Sequence, residues 1–344
     1  MNFPHQKIIH EISPPPNAKF ICDCAFPVFP ISSLQKIGRK IMKISGFTMV
    51  RNGEKMGYPF TESIRSALPI CDEYIVVIGK SDDDTREQVA AIGSDKIRII
   101  DTVWDEKLRI GGRILAQQTN IALDEISGDW GVYLQADEVI HEKDYNAIVR
   151  EMELCQNDPK IEGLLFDYNH FWGYKHVCVT RRTYRREIRV IRNLKNIRSY
   201  KDAQGFRKYP SIEAYENGHP GFKLQVKHIK PKIYAYSRVR NPKLELEKQK
   251  MLDQWWHPDD KIAEKYKDKA EFNYEQVDKV VEFDQKDHPQ TMQKRAAECD
   301  WEFKFKRPNF TAKNRVLHTI EELTGWRIGE YRNYKIVETS QKHP

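Results

Sequence analysis

Long apolar runs are missing from this sequence of 344 residues, and nothing in it approaches the ~18 consecutive apolar residues of a membrane-spanning helix. The first thirty residues also lack a basic start followed by an apolar block, so neither export nor membrane insertion is expected, and the expected location is the cytoplasm. Cysteine is sparse and scattered: Cys22, Cys24, Cys71, Cys155, Cys178 and Cys299 form no C-x-x-C pair, which excludes a zinc ribbon and fits reduced thiols. His141 is followed by Glu142, yet no H-E-x-x-H completes a zinc-hydrolase helix. His141 is therefore read as a loop or helix-start residue and His228 as an ordinary strand histidine. No internal repeat is found.

What is present is ordinary globular material, 40% hydrophobic and 31% charged, enough for a sizeable core. The formal charge of +7 is unevenly placed. Lys175 to Pro210 contains twelve Lys or Arg against Glu187 and Asp202, a surplus of ten that leaves the remainder of the chain at about −3. Such a field suits an anion: a nucleic acid, a sugar-nucleotide diphosphate or an anionic acceptor.

Residues 1–44, with Pro14-Pro15-Pro16, read as an irregular arm. From Ser45 short β-rich runs alternate with helical stretches, the signature of an α/β unit with a largely parallel sheet. Strands are expected at 46–50, 74–78, 96–100 and 130–134, with helices over 61–68, toward Ala91 and over 112–125. The 74–78 run is apolar throughout, which suits a central strand covered on both faces. The basic run 185–192 reads as a further strand. Beyond Asn241 the composition turns to Lys, Glu and Gln and a mainly helical segment is expected over 241–344.

The fourth strand runs straight into Gln135-Ala136-Asp137-Glu138, which places two carboxylates at the carboxyl end of a buried strand, where ligands bind in open α/β sheets. Adjacent carboxylates there can hold a divalent cation that neutralises a leaving diphosphate. An acceptor hydroxyl needs a base, and Glu187 and Asp202 are the candidates. Arg186, Arg189 and Arg192 can grip phosphate through planar forks. The cluster His170-Phe171-Trp172 can stack on a sugar ring or pack in a core, and packing is the favoured reading.

Val50-Arg51-Asn52-Gly53, Tyr58-Pro59-Phe60, Ser81 to Thr85, Asn120 and Trp130 to Glu138 together resemble the successive blocks of family 2 glycosyltransferases. His170-Phe171-Trp172-Gly173, Arg186 to Arg192 and Ser199 to Arg207 resemble one bacterial-type branch of that family, so the resemblance runs from about Ser45 to Lys248. It implies a GT-A fold, Rossmann-like with a mostly parallel central sheet and helices on both faces, over residues 45–240, followed by the helical C-terminal extension. It implies an inverting transferase that takes a nucleotide-sugar donor and a glycan or lipid-linked acceptor, the latter compatible with peripheral association at a membrane. Arg51, Asn52, Asp83, Asn120, Gln135, Asp137, Arg189 and Arg192 would then bind the nucleotide sugar, and Asp137, matching the last carboxylate of a D-x-D motif, would hold Mn or Mg. Three positions depart from the pattern: Gln135 replaces an Asp, Ile78-Gly79-Lys80 lacks a base-binding Asp, and Ala235 stands where a His is expected. The competing functions are a nucleic-acid-binding module and a degenerate transferase that binds without turnover; nucleic acid is not the expected partner.

Overall fold

The computed structural model describes residues 42–338. The expected arm therefore lies outside the described residues up to position 41, and the chain enters its first strand, β1, at Ile44–Val50. β1 leads through α1 (Phe60–Ala67) to β2 (Glu73–Gly79), through α2 (Thr85–Ala90) to β3 (Ile97–Thr102), and through α3 (Arg113–Asp124) to β4 (Trp130–Tyr133). These four strands are parallel in the order β3-β2-β1-β4, as each βαβ crossover requires. In β2 the side chains divide by parity. Tyr74, Val76 and Ile78 enter a core with Phe60, Ile64 and Ala67 of α1, whereas Ile75 and Val77 enter the opposite core with Ala122 and Leu123 of α3. Both faces of the sheet are thus covered.

Beyond β4 the sheet becomes mixed. The short β5 (Glu138–Ile140) and α4 (Tyr145–Cys155) precede the long β6 (Gly163–Trp172) and a short β7 (His176–Cys178). Next come β8 (Arg186–Arg192), β9 (Ile197–Tyr200), β10 (Gly205–Lys208), α5 (Ile212–Glu216) and the long β11 (Phe222–Arg238). The sheet continues as β4-β8-β6-β11-β10-β9, and β8 runs antiparallel to both β4 and β6. That reversal decides where the basic run points: Arg186 lies toward the carboxyl edge of the parallel strands and Arg192, paired with Trp130, lies at the amino edge.

The C-terminal stretch contains α6 (Pro242–Asp253), α7 (Asp259–Tyr266), β12 (Val280–Glu282), α8 (Gln290–Ala297), α9 (Ala312–Thr324) and β13 (Tyr334–Ile336). It is helix-rich, yet β12 pairs with β7 and β13 extends the sheet beside β11. Its aromatic neighbourhood is continuous with the sheet: Phe171 stacks on Tyr236 at 4.4 Å, and the Tyr236 hydroxyl bonds to His288 Nδ1 at 2.8 Å. Burial lowers the His288 pKa to about 4, so this imidazole is a neutral part of the packing. No helix among the described residues is long and apolar enough to cross a membrane.

Candidate active site

The carboxyl ends of β1, β2 and β4 converge on one edge. The chain leaves β1 through Arg51 and Asn52, and Asn52 takes a left-handed φ of 52°, which Asn tolerates better than most residues. Its amide donates to Ser81 Oγ at 3.0 Å while its side-chain carbonyl accepts from the Asp82 amide at 3.1 Å. Asp83 accepts from the Lys55 amide at 2.7 Å and from the Thr85 amide at 3.1 Å. Asn52 and Asp83 therefore stitch the β1 and β2 exit loops to each other. Arg51 donates to the Lys80 carbonyl and lies over the Trp104 ring.

Asp137 and Glu138 part company. Glu138 is buried and receives both arms of Arg189, at 2.6 and 2.7 Å, together with the Tyr168 hydroxyl at 3.0 Å and the Gln135 amide at 3.1 Å. This carboxylate is fully used, and so is Arg189, which is 1% exposed. The expectation that Arg189 grips a phosphate gives way to an internal ion pair. Asp137, by contrast, has the ammonium of Lys248 at 3.8 Å, a loose pairing.

Arg192 moves out of the site altogether. Because β8 is antiparallel, its guanidinium reaches the amino edge, where it donates to the carbonyls of Ile161 and Asp158 and packs over Trp130 at 4.5 Å. It also donates to the carbonyls of Cys155 and Gln156, adding a side-chain donor at the end of α4. Asn120 is likewise spent: its side chain exchanges bonds with both the amide and the carbonyl of Ser199, joining α3 to β9.

Of the two candidate bases, Glu187 is 3% exposed and sealed, since a Cβ at Gly205 would lie 2.8 Å from its Oε2. Burial lifts its pKa to about 8 against the opposing pull of Arg189, so it holds its proton at neutral pH. Asp202 stands in the β9–β10 turn between Lys201 and Ala203, both with positive φ, and rests against Gly112 at the head of α3. It is half-buried, and burial raises its pKa.

The sequence leads to a helix beyond Asn241 but not to its place beside Asp137, which α6 takes. The helix is capped by the Asn241 side chain, which accepts from the Leu244 amide at 2.9 Å, and Leu244 packs against Gly57 of the β1 exit loop. Just past its end, Trp255 lies beside Trp104 with the rings tilted by 50°, and its carbonyl accepts from the Gly111 amide at 2.7 Å. Lys248 lies between these contacts, so α6 spans the exits of β1, β3 and β4. Its buried ammonium donates to the Ser237 carbonyl at 2.9 Å and sits 4.9 Å from the Tyr58 ring centre, and burial lowers its pKa to about 8. A Lys/Glu-rich helix signals a solvated surface in sequence, and only the proline after Asn241 marked its start.

An open groove of about 2890 Å³ runs along the β3 side of this edge, lined among others by Gly79, Ser81, Asp83, Arg113 and Lys201. Asp137 does not line it. Trp104 covers Gly79 at the groove's rim, its indole nitrogen standing where a Cβ on that glycine would clash. The groove meets the β2 exit loop through Gly79, Ser81 and Asp83.

The basic surplus of 175–210 is largely consumed by distant acids. Arg182 pairs with Asp278, Arg185 with Glu330, Arg186 with Asp167, Arg198 with Asp124 and Lys208 with Glu162. A continuous stripe for a nucleic-acid backbone does not form. Phe171 is buried, while His170 and Trp172 are half-buried, Trp172 donating to the Tyr274 carbonyl at 2.8 Å.

No family model and no curated protein matches this chain. Among solved structures, it is similar to S. aureus TarS 1–349, with 16% identity over 62% of this chain and 65% of that one, at a TM-score of 0.36. A complex of the same TarS fragment with UDP-GlcNAc gives 17% identity, 62% and 66% coverage and 0.36. Glucosyl-3-phosphoglycerate synthase from Mycobacterium tuberculosis, in complex with Mn2+, UDP and phosphoglyceric acid, gives 22% identity, 38% and 43% coverage and 0.26. The chain spans less than two thirds of the length of each.

Proposed function

We propose that this chain transfers a sugar from a nucleoside diphosphate to a hydroxyl acceptor, a glycan or a lipid-linked precursor. The observation that carries the reading is the convergence, at the carboxyl edge of the parallel strands, of the Arg51–Tyr58 loop, the Lys80–Thr85 loop and Asp137, the position at which open α/β sheets bind nucleotides. In the reaction the acceptor oxygen bonds to the anomeric carbon as the bond from that carbon to the diphosphate oxygen breaks, with inversion. The electron pair leaves on the diphosphate, and the acceptor proton passes to a carboxylate. Asp202 is the candidate base, since Glu187 is sealed and protonated.

A divalent cation does not fit the residues present. Glu138 is committed to Arg189, Asp137 already faces an ammonium, and no group of three His, Cys, Asp or Glu suited to a metal occurs among the described residues. No step is routed through a metal here.

Calorimetric titration with a panel of sugar nucleotides, including UDP-glucose and UDP-GlcNAc, tests the donor. One donor is expected to bind and to be hydrolysed slowly in the absence of acceptor. Failure of every donor to bind would overturn the reading, and tight binding with no turnover against any hydroxyl acceptor would leave a sugar-nucleotide sensor in its place.

A further inference from the structure

The surroundings of Asp137 carry a charge imbalance. Asp137 faces Lys248, and Glu245 of α6 faces Arg238 at 2.9 Å and Arg240 at 3.5 Å. Two acids meet three bases, and the one positive charge in excess is carried at the edge of the group by Arg238, whose side chain is 30% exposed. Asp137, Glu245, Lys248 and Arg240 are all buried. Arg240 donates to the Ser237 carbonyl at 2.8 Å and packs over Tyr58 at 4.4 Å, yet its Nη2 is buried without a hydrogen-bond partner.

A buried guanidinium nitrogen without an acceptor is costly unless an anion answers it. A divalent cation placed beside Asp137 would have to sit against the Lys248 ammonium, whereas a diphosphate would offer acceptor oxygens to both Lys248 and the free nitrogen of Arg240. We propose that Lys248, with Arg240 behind it, is the resident cation of the Asp137 site and takes the diphosphate of the donor directly, so that this chain binds its nucleoside diphosphate without a divalent metal. Lys248 contacts the leaving group in this assignment, and its ammonium stabilises the negative charge that builds on the diphosphate oxygen as the sugar departs. The assignment rests on the donor reading above. It also explains why α6 belongs to the site: the helix delivers the charge that the strand-end loop lacks.

The test uses the full chain and, as probes, UDP, GDP, ADP and inorganic pyrophosphate, titrated first in excess EDTA and then with Mn2+. At least one nucleoside diphosphate is expected to bind with the same affinity, within about twofold, under both conditions. Lys248→Met should weaken that diphosphate at least about tenfold, the scale of a lost charge-assisted bond, while leaving the corresponding nucleoside unchanged. Lys248→Arg should restore binding to within a few-fold. Lys248→Asp, which sets a second carboxylate beside Asp137, should make binding depend on Mn2+. Binding by the unaltered chain that vanishes in EDTA overturns the Lys248 assignment and leaves the donor reading intact. Absence of binding by every probe, with and without metal, overturns both. Equal weakening of nucleoside and diphosphate in Lys248→Met, with no rescue by Arg, makes Lys248 a prop for α6 and overturns the assignment, and folding of each variant is followed by near-UV circular dichroism.

Discussion

Asp137 and Glu138 are neighbours in sequence and opposites in surroundings. Glu138 accepts four hydrogen bonds, two of them from the parallel arms of Arg189, and both partners are 1% exposed. Asp137 has a single ammonium at 3.8 Å, inside a cluster that holds more cations than anions. A carboxylate whose lone pairs are all answered can do nothing but hold the fold together. One that is incompletely answered stays available to a ligand, and under the proposed reading a single acidic dipeptide divides into a spent half and an available half.

The largest effect expected from breaking this contrast falls on Glu138. Arg189→Met strands a charged carboxylate in the core and should cost about 3–5 kcal/mol of stability, the usual penalty for halving a buried pair. Urea unfolding measures it. The double variant with Glu138→Leu should recover most of the loss, because no uncompensated charge then remains. A single-variant loss below about 1 kcal/mol would mean that the pair is not buried as described.

A smaller and pH-dependent effect belongs to Glu187, next to the same ion pair in β8. Burial lifts its folded pKa to about 8, above the ordinary carboxyl value of 4.5, so the folded state binds the extra proton between these limits. The contribution of this group is therefore fully present below about pH 4.5 and is lost as the pH rises through about 8, on the order of a few kcal/mol in total. Glu187→Gln keeps the shape and cannot ionise. Its advantage over the unaltered chain should grow from pH 5 to pH 9 in parallel unfolding curves, and a constant difference across that range would show that Glu187 is not sealed.

The smallest stability effect is expected at Asp137. Asp137→Asn keeps the volume and disturbs only a loose pair, so about 1–2 kcal/mol is expected in unfolding, while transfer should fall by about tenfold or more because the Lys248 ammonium loses the carboxylate that helps to keep it charged. A stability loss as large as that of Arg189→Met, with proportionate loss of activity, would erase the distinction between the two carboxylates.

Much of the α/β half was legible because its signals are local. β2 announces itself by five consecutive apolar residues, Tyr74 to Ile78, and α3 by the spacing of Leu115, Ile121 and Ala122 ahead of Gly128. The exit loops of β1 and β2 were also found, through Arg51, Asn52 and Asp83. Arg192 was misplaced for a reason that no window of sequence contains. Residues 185–192 form a strand as expected, but the strand is antiparallel, and direction is settled by which neighbours it pairs with. The β12 and β13 pairings in the helix-rich C-terminal stretch were hidden for the same reason.

The sequence by itself determined the α/β rhythm, the position of the acidic tetrapeptide after a buried strand and the concentration of positive charge between Lys175 and Pro210, because each depends on residues close together in the chain. Tertiary structure alone decided which carboxylate stays available. That choice is made by Arg189, 51 residues from Glu138, and by Lys248, more than a hundred residues from Asp137, and it turns on burial and distance. The electrostatic energy of a buried charge depends on every group packed around it, and only the completed fold assembles those groups.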